Sequence, residues 1–166
     1  IKGGSFENNN TGTRSLDGSR AAEGGAIKLN KSELYINDET TTVKDTTKFT
    51  GNHLDGWETT GGRQGGSIEA TESKVEIYGT TFDIVGPFNT GGAIKFEDCG
   101  TETEKVKVIN SSFTIVDGKK PVGMAGGAIT SEGSHLLIDN STFKTGKGSY
   151  VQESGGLIQV VGIGTF

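Results

Sequence analysis

The residues of this chain whose types and spacing could do chemistry fall in a few places. The acidic run Glu97-Asp98-Cys99-Gly100-Thr101-Glu102-Thr103-Glu104 could hold Ca²⁺ or supply paired carboxylates for cleavage of a polysaccharide. It lies in a long interval between two strand patterns, so it reads as a solvated loop. His53, Asp55, Trp57 and Glu58 stand together in a second loop, and Trp57 is the only tryptophan. An exposed indole there could stack on a sugar or anchor a partner; the competing expectation is that it folds back over its own segment. Asn9, Asn30, Asn110 and Asn140 each open an Asn-x-Ser/Thr sequon, which makes them glycan acceptors in a eukaryotic secretory setting. Gly61 to Gly66 looks like a phosphate cradle, but no Lys-Ser/Thr follows and no helix opens there. Cys99 is the only cysteine, which excludes an internal disulfide and a cysteine metal cluster. His135 stands alone beside Leu136 and reads as structural. No serine has a His and an acid at recognisable spacing. The expectation is no catalytic residue, no metal and no cofactor.

The elements that must position these residues come from an internal repeat. Gly-Gly-Ala-Ile occurs at Gly24 to Ile27, Gly91 to Ile94 and Gly126 to Ile129, with Gly-Gly-Ser-Ile at Gly65 and Gly-Gly-Leu-Ile at Gly155. Between these copies run Val75 to Phe82, Val106 to Phe113 and Leu136 to Phe143, each with seven residues from its first apolar residue to its Phe. The apolar residues alternate (Val75 and Ile77, Val106 and Val108, Leu136 and Ile138), the period of strands with one buried face. The unit is too short for a βαβ crossover. Near-identical strands following one another in this way stack in register, so the expected fold is all-β, a parallel β-helix of about five coils. Three strands are expected per coil: one at Gly-Gly-Ala-Ile, one at Val-x-Ile, and one centred on the Phe. Phe6, Phe49, Phe82, Phe113, Phe143 and Phe166 are expected to form one internal stack.

Gly3, Gly79, Asn110 and Asn140 stand three residues before their Phe. Gly and Asn tolerate a left-handed backbone, so a bend is expected there. The paired glycines serve a second bend, followed by a small inward Ala93 or Ala128. The first full repeat departs from the pattern. Leu34-Tyr35-Ile36 is followed by Phe49 only fifteen residues on, so Asp38 to Thr47 reads as an insertion.

The 166 residues form one repeat domain, with only 31% of them apolar. A β-helix tolerates this because its core is a narrow column. A net charge of −5 and the lack of a basic patch argue against nucleic acid and anionic membrane surfaces. No apolar run reaches transmembrane length, so no membrane insertion is expected. An exported chain would have lost its signal or would carry it outside these residues. Ile1 to Phe6 and Val161 to Phe166 fall in the same frame of the repeat. The expected partners are therefore further coils of a longer parent chain, or other copies stacked end to end. Ice binding needs a regular threonine face, and outward Lys74, Glu76, Lys107 and Asp139 break one.

Gly-Gly-Ala-Ile, together with Phe-x-x-Asn at Phe6 to Asn9 and Phe49 to Asn52, resembles the repeat of chlamydial polymorphic outer membrane proteins and of similar microbial surface proteins, including those of ciliates. Val85, Val116 and Gly146 take the Asn position in the other copies. The resemblance implies a right-handed parallel β-helix displayed outside the cell or at its surface, in structure or adhesion, with host-surface ligands or glycans as partners. The functional expectation is thus a non-enzymatic extracellular structural or adhesive protein, able to form a filament or coat. The alternative is a carbohydrate-active β-helix enzyme or glycan-binding module, for which carboxylates clustered on adjacent coils of one face would speak.

Overall fold

The computed structural model describes residues 1–12, 22–43, 46–55, 63–85, 90–116, 126–148 and 155–162. In chain order the strands are β1 (Gly4–Glu7), β2 (Asn10–Gly12), β3 (Ala22–Glu23), β4 (Ile27–Asn30), β5 (Glu33–Ile36), β6 (Thr47–Thr50), β7 (His53–Asp55), β8 (Arg63–Gln64) and β9 (Ile68–Thr71). They continue as β10 (Lys74–Tyr78), β11 (Thr80–Ile84), β12 (Ile94–Glu97), β13 (Val106–Ile109), β14 (Ser112–Ile115), β15 (Ile129–Glu132), β16 (Leu136–Asp139), β17 (Thr142–Thr145) and β18 (Ile158–Val161). Among the described residues there is no helix.

Fourteen of these strands form three sheets. Sheet I is β4-β9-β12-β15-β18, sheet II is β5-β10-β13-β16, and sheet III is β1-β6-β11-β14-β17. Every pairing is parallel. The chain visits I, II and III in rotation, laying each strand beside its counterpart from the previous circuit, an arrangement consistent with a parallel β-helix. These are the three strands expected per repeat. β2 pairs with β7 and β3 with β8, extending the first circuits between sheets III and I.

Register places like residue on like. Sheet I stacks Ile27, Ile68, Ile94, Ile129 and Ile158. Sheet II stacks Ile36, Ile77, Val108 and Ile138. Sheet III stacks Phe6, Phe49, Phe82, Phe113 and Phe143, with ring centroids 4.6, 4.9, 4.7 and 4.8 Å apart and planes within 11° of parallel. Those spacings match the roughly 4.8 Å between neighbouring strands, so backbone pairing sets the ring spacing. Phe49, Phe82 and Phe113 are buried and the two end rings are half-buried. Phe166, expected in this column, lies outside the described residues. Ala93 and Ala128 point inward and are fully buried, as expected.

The corners carry their own ladders. Between sheets II and III the left-handed position is filled by Gly3 (φ 70°), Gly79 (φ 54°), Asn110 (φ 53°) and Asn140 (φ 43°); in the first full circuit the left-handed residue is Asn37 (φ 59°), one place earlier, just past the Ile36–Ile77 pair. Asn37 is therefore the bend of the first full circuit, and the inserted residues leave the coil after it. Asn37 Oδ1 accepts from Gly3 N at 3.0 Å, and its Nδ2 donates to Tyr78 O at 2.7 Å. The insertion folds across the next circuits: Thr46 Oγ1 donates to Gly79 O, and Asn110 Nδ2 donates to Thr41 O. A Cβ on Gly79 would sit 2.5 Å from Val43 O, which explains glycine among the asparagines of this corner.

Between sheets I and II the left-handed position holds Lys31, Glu72, Asp98, Gly133 and Gly162. The next residue forms a ladder of Ser32, Ser73, Cys99 and Ser134. Each backbone N–H donates to the following circuit: Ser32 N to Ser73 Oγ (3.1 Å), Ser73 N to Cys99 Sγ (3.4 Å), and Cys99 N to Ser134 Oγ (2.8 Å). Cys99 thus stands in a serine position. It is fully buried, and burial pushes its thiol pKa up, so thiolate chemistry is suppressed. Cys99→Ser is expected to change the unfolding free energy by less than about 1 kcal/mol, because a hydroxyl there can still accept from Ser73 N and donate to Glu97 O, as Ser73 and Ser134 do to Thr71 O and Glu132 O. Urea titration measures this, and a loss above about 2 kcal/mol would contradict the ladder.

The Phe-x-x-Asn half of the repeat has its own physical role. Asn52, 2% exposed, donates from Nδ2 to Phe6 O at 2.8 Å. Its Oδ1 accepts from Asn9 N at 3.0 Å and from Asn9 Nδ2 at 2.8 Å, joining two circuits at the corner after sheet III.

Candidate functional site

The outward face of sheet I brings together charge from successive circuits. One column reads Lys28, Glu69, Lys95, Thr130 and Gln159; the next reads Asn30, Thr71, Glu97, Glu132 and Val161. The first column points away from the apolar core, yet Glu69, Lys95 and Thr130 are 3%, 4% and 0% exposed. Lys95 Nζ lies 3.0 Å from Glu97 Oε2 and 3.4 Å from Glu132 Oε2. Lys28 Nζ lies 3.7 Å from Glu69 Oε2, an oxygen with no hydrogen-bond partner. Burial raises the Glu69 pKa, and Lys28 and Lys95 oppose that rise only in part. Thr130 Oγ1 accepts from Gly91 N at 2.9 Å, tying the face to a Gly-Gly bend. Chemically this is a carboxyl inclined to keep its proton beside an ammonium held by two carboxylates. Such a group could donate a proton, but Glu69 and Lys95 are shut away from a bulky substrate. Lys28, Glu97 and Glu132 have substantially exposed side chains.

A cleft of about 450 Å³ adjoins this face at the corner between sheets I and II, lined by Glu72, Ser73, Lys74, Asp98, Gly100, Thr101 and Glu104. The acidic run seen in the sequence is divided by this geometry. Glu97 ends β12, Asp98 takes the left-handed corner, and Thr101 to Glu104 close an exposed turn in which Thr101 N donates to Glu104 O at 2.9 Å. Lys74 Nζ lies 3.8 Å from Glu104 and 4.0 Å from Glu76, and Glu104 holds the Lys74 pKa above its ordinary value. Among the described residues no group of three or more His, Cys, Asp and Glu is arranged to hold a metal ion.

The other residues singled out from sequence scatter. His53 and Asp55 lie on β7, beside Asn10 and Gly12 of β2. Trp57 and Glu58 lie outside the described residues. Of the sequon asparagines, Asn9 is bonded to Asn52, and Asn110 bonds Thr41 O and accepts from Asn140 Nδ2 at 2.6 Å. Asn30 and Asn140 are exposed. His135 is structural in its backbone, which donates to Cys99 O and accepts from Val106 N. Lys74, Glu76, Lys107 and Asp139 all sit on sheet II, where Lys74 and Lys107 flank Glu76. The outward face of sheet III carries Ser5, Lys48, Thr81, Ser112 and Thr142 in one column. Glu7, Thr50, Asp83, Thr114 and Lys144 form the other, so charge interrupts that threonine-rich face too.

The Glu69–Lys95 face was not found from sequence. Its column changes residue type at every circuit, and only the register of Ile68 on Ile94 on Ile129 could have aligned Glu69, Lys95 and Thr130. Comparison of the chain with protein-family models, with curated proteins and with solved structures finds no match in any of the three.

Proposed function

We propose that this chain is a right-handed parallel β-helix of about five coils that acts as a non-enzymatic structural or adhesive element outside the cell or at its surface. The observation that supports this most is the unbroken stacking of one circuit on the next through every layer: phenylalanine, isoleucine, serine and asparagine columns. The right hand is what the resemblance to surface repeats implies, and it agrees with the hand that crossovers between parallel strands favour. Exposed Asn30 and Asn140 suit a glycosylated surface. Antibodies raised against the folded chain are expected to label intact source cells; labelling only after permeabilisation would overturn the reading.

A second reading is favoured by one specific observation. Glu69, Glu97 and Glu132 come from three successive circuits of one face, where Glu97 and Glu132 pair with Lys95 and Glu69 stands beside Lys95 in register. In a β-helix such a cluster suits attack on an acidic polysaccharide. Incubation with uronate and neutral polysaccharides, followed by assay for new reducing ends and unsaturated products, separates the readings. No turnover is expected. Turnover abolished by Glu69→Gln and by Lys95→Ala would replace the structural reading with the enzymatic one.

A further inference from the structure

The outward face of sheet I sets one ammonium between two sets of carboxylates. Lys95 of β12 has Glu69 of β9 as its register partner in the preceding circuit. Its ammonium nevertheless lies toward the neighbouring column, 3.0 Å from Glu97 Oε2 and 3.4 Å from Glu132 Oε2. Glu97 and Glu132 are themselves register partners, so two like charges stand directly opposite on adjacent strands. Like charges so placed destabilise a sheet, and Lys95 offsets this by bridging them. Glu69 is left with Lys28 of β4, whose Nζ is 3.7 Å from Oε2, too far for a hydrogen bond. Glu69 is 3% exposed, and its Oε2 has no hydrogen-bond partner. Among the described residues the charged groups that face it are Lys28 from β4 and Lys95 and Glu97 from β12.

A buried carboxylate with so little compensation is unfavourable, and two changes relieve it. It can hold a proton, or it can draw in a nearby ammonium. Protonated, Glu69 makes no demand on Lys95, which stays on Glu97 and Glu132 and ties β12 to β15. Ionised, Glu69 competes with that pair for the same ammonium from one strand spacing away, about 4.8 Å. We propose that Glu69 and Lys95 form a proton-linked switch: loss of the Glu69 proton turns the Lys95 ammonium from the Glu97–Glu132 pair toward Glu69 and leaves two facing carboxylates without their cation. Burial raises the Glu69 pKa, and Lys28 and Lys95 oppose the rise only in part, so the change falls above the ordinary glutamate value. The folded chain then keeps a proton that the unfolded chain has already lost. Glu69 therefore contributes most to stability below its unfolded pKa, and that contribution is lost as pH rises through its folded pKa. The face is braced in acid and carries more uncompensated negative charge toward neutral pH. The switch stands apart from either reading of the function.

Side-chain carboxyl resonances followed by NMR across pH test it on Glu97 and Glu132. In the unsubstituted chain each is expected to show two inflections, its own and a second at the pH where Glu69 titrates. In Glu69→Gln, whose carboxamide imitates the protonated acid, the second inflection is expected to vanish while the first remains. A titration of Glu69 that leaves Glu97 and Glu132 unmoved would overturn the switch, as would a second inflection that survives Glu69→Gln. Urea titration of the same two chains reads the sign. Glu69→Gln is expected to unfold at higher urea than the unsubstituted chain at about pH 8, with the gap closing toward about pH 4. A Glu69→Gln chain that is the less stable at about pH 8, or that does not fold, would also overturn the switch, because the neutral side chain is the better tolerated one there. None of these readouts bears on surface labelling, so failure of the switch and failure of the proposed function are told apart.

Discussion

Phe113→Ala is expected to destabilise the chain by about 3–5 kcal/mol, the usual loss when a closed-in aromatic is truncated. The ring is 1% exposed, with Phe82 at 4.7 Å on one side and Phe143 at 4.8 Å on the other. Two aromatic contacts are lost with one side chain, and the cavity cannot collapse because backbone pairing fixes the circuits on either side. Phe143→Ala truncates a half-buried ring that has one ring neighbour among the described residues, so it should cost clearly less. Chemical denaturation of both variants measures the difference. A loss below about 1 kcal/mol for Phe113→Ala would mean that the phenylalanine column is not closed.

Gly91→Ala is expected to be at least as damaging, for a different reason. Gly91 has φ +59°, where an L-residue costs about 1–2 kcal/mol. An added Cβ would also lie 2.2 Å from Ile94 O and 2.7 Å from Ile94 C. Those are backbone atoms at the start of β12, held by β9 and β15 on either side, so they cannot step aside. The total should exceed about 4 kcal/mol, in the range that marks a broken structural requirement. Gly148→Ala isolates the backbone contribution: its φ is +78° and nothing stands within 4 Å of the added Cβ. That variant should lose only about 1–2 kcal/mol. Equal losses at the two glycines would show that the Gly-Gly bend does not need close approach.

The repeat made the three sheets legible because its inward positions must be alike. A strand stacked on its own copy needs the same shape at the same place, so Ile68, Ile94 and Ile129, or Phe82, Phe113 and Phe143, recur visibly. Gly79, Asn110 and Asn140 were readable as a bend since few residue types adopt a left-handed backbone. Asn37 does the same work but was hidden, because the insertion moves Phe49 away from it. The corner at Lys31, Glu72 and Asp98 was not readable either: stacking fixes its backbone at some local cost, with no sequence signal. Phe96 escaped notice because its column also holds Leu29, Ala70, Ser131 and Val160, which share no type. The outward charges around Lys95 were illegible for the same reason, since solvent-side columns need no uniformity.

The central claim is that successive circuits stack in register, one strand spacing apart. Spin labels at Ser5→Cys and Thr142→Cys, in a Cys99→Ser background, measure it most directly. Both sites are exposed in the same outward column of sheet III, four strand steps apart. At about 4.8 Å per step the backbone separation is about 19 Å. Double electron–electron resonance should give one narrow distance distribution, offset from that separation only by the reach of two labels pointing the same way. A broad distribution, or one centred beyond about twice that separation, would contradict the stacked array.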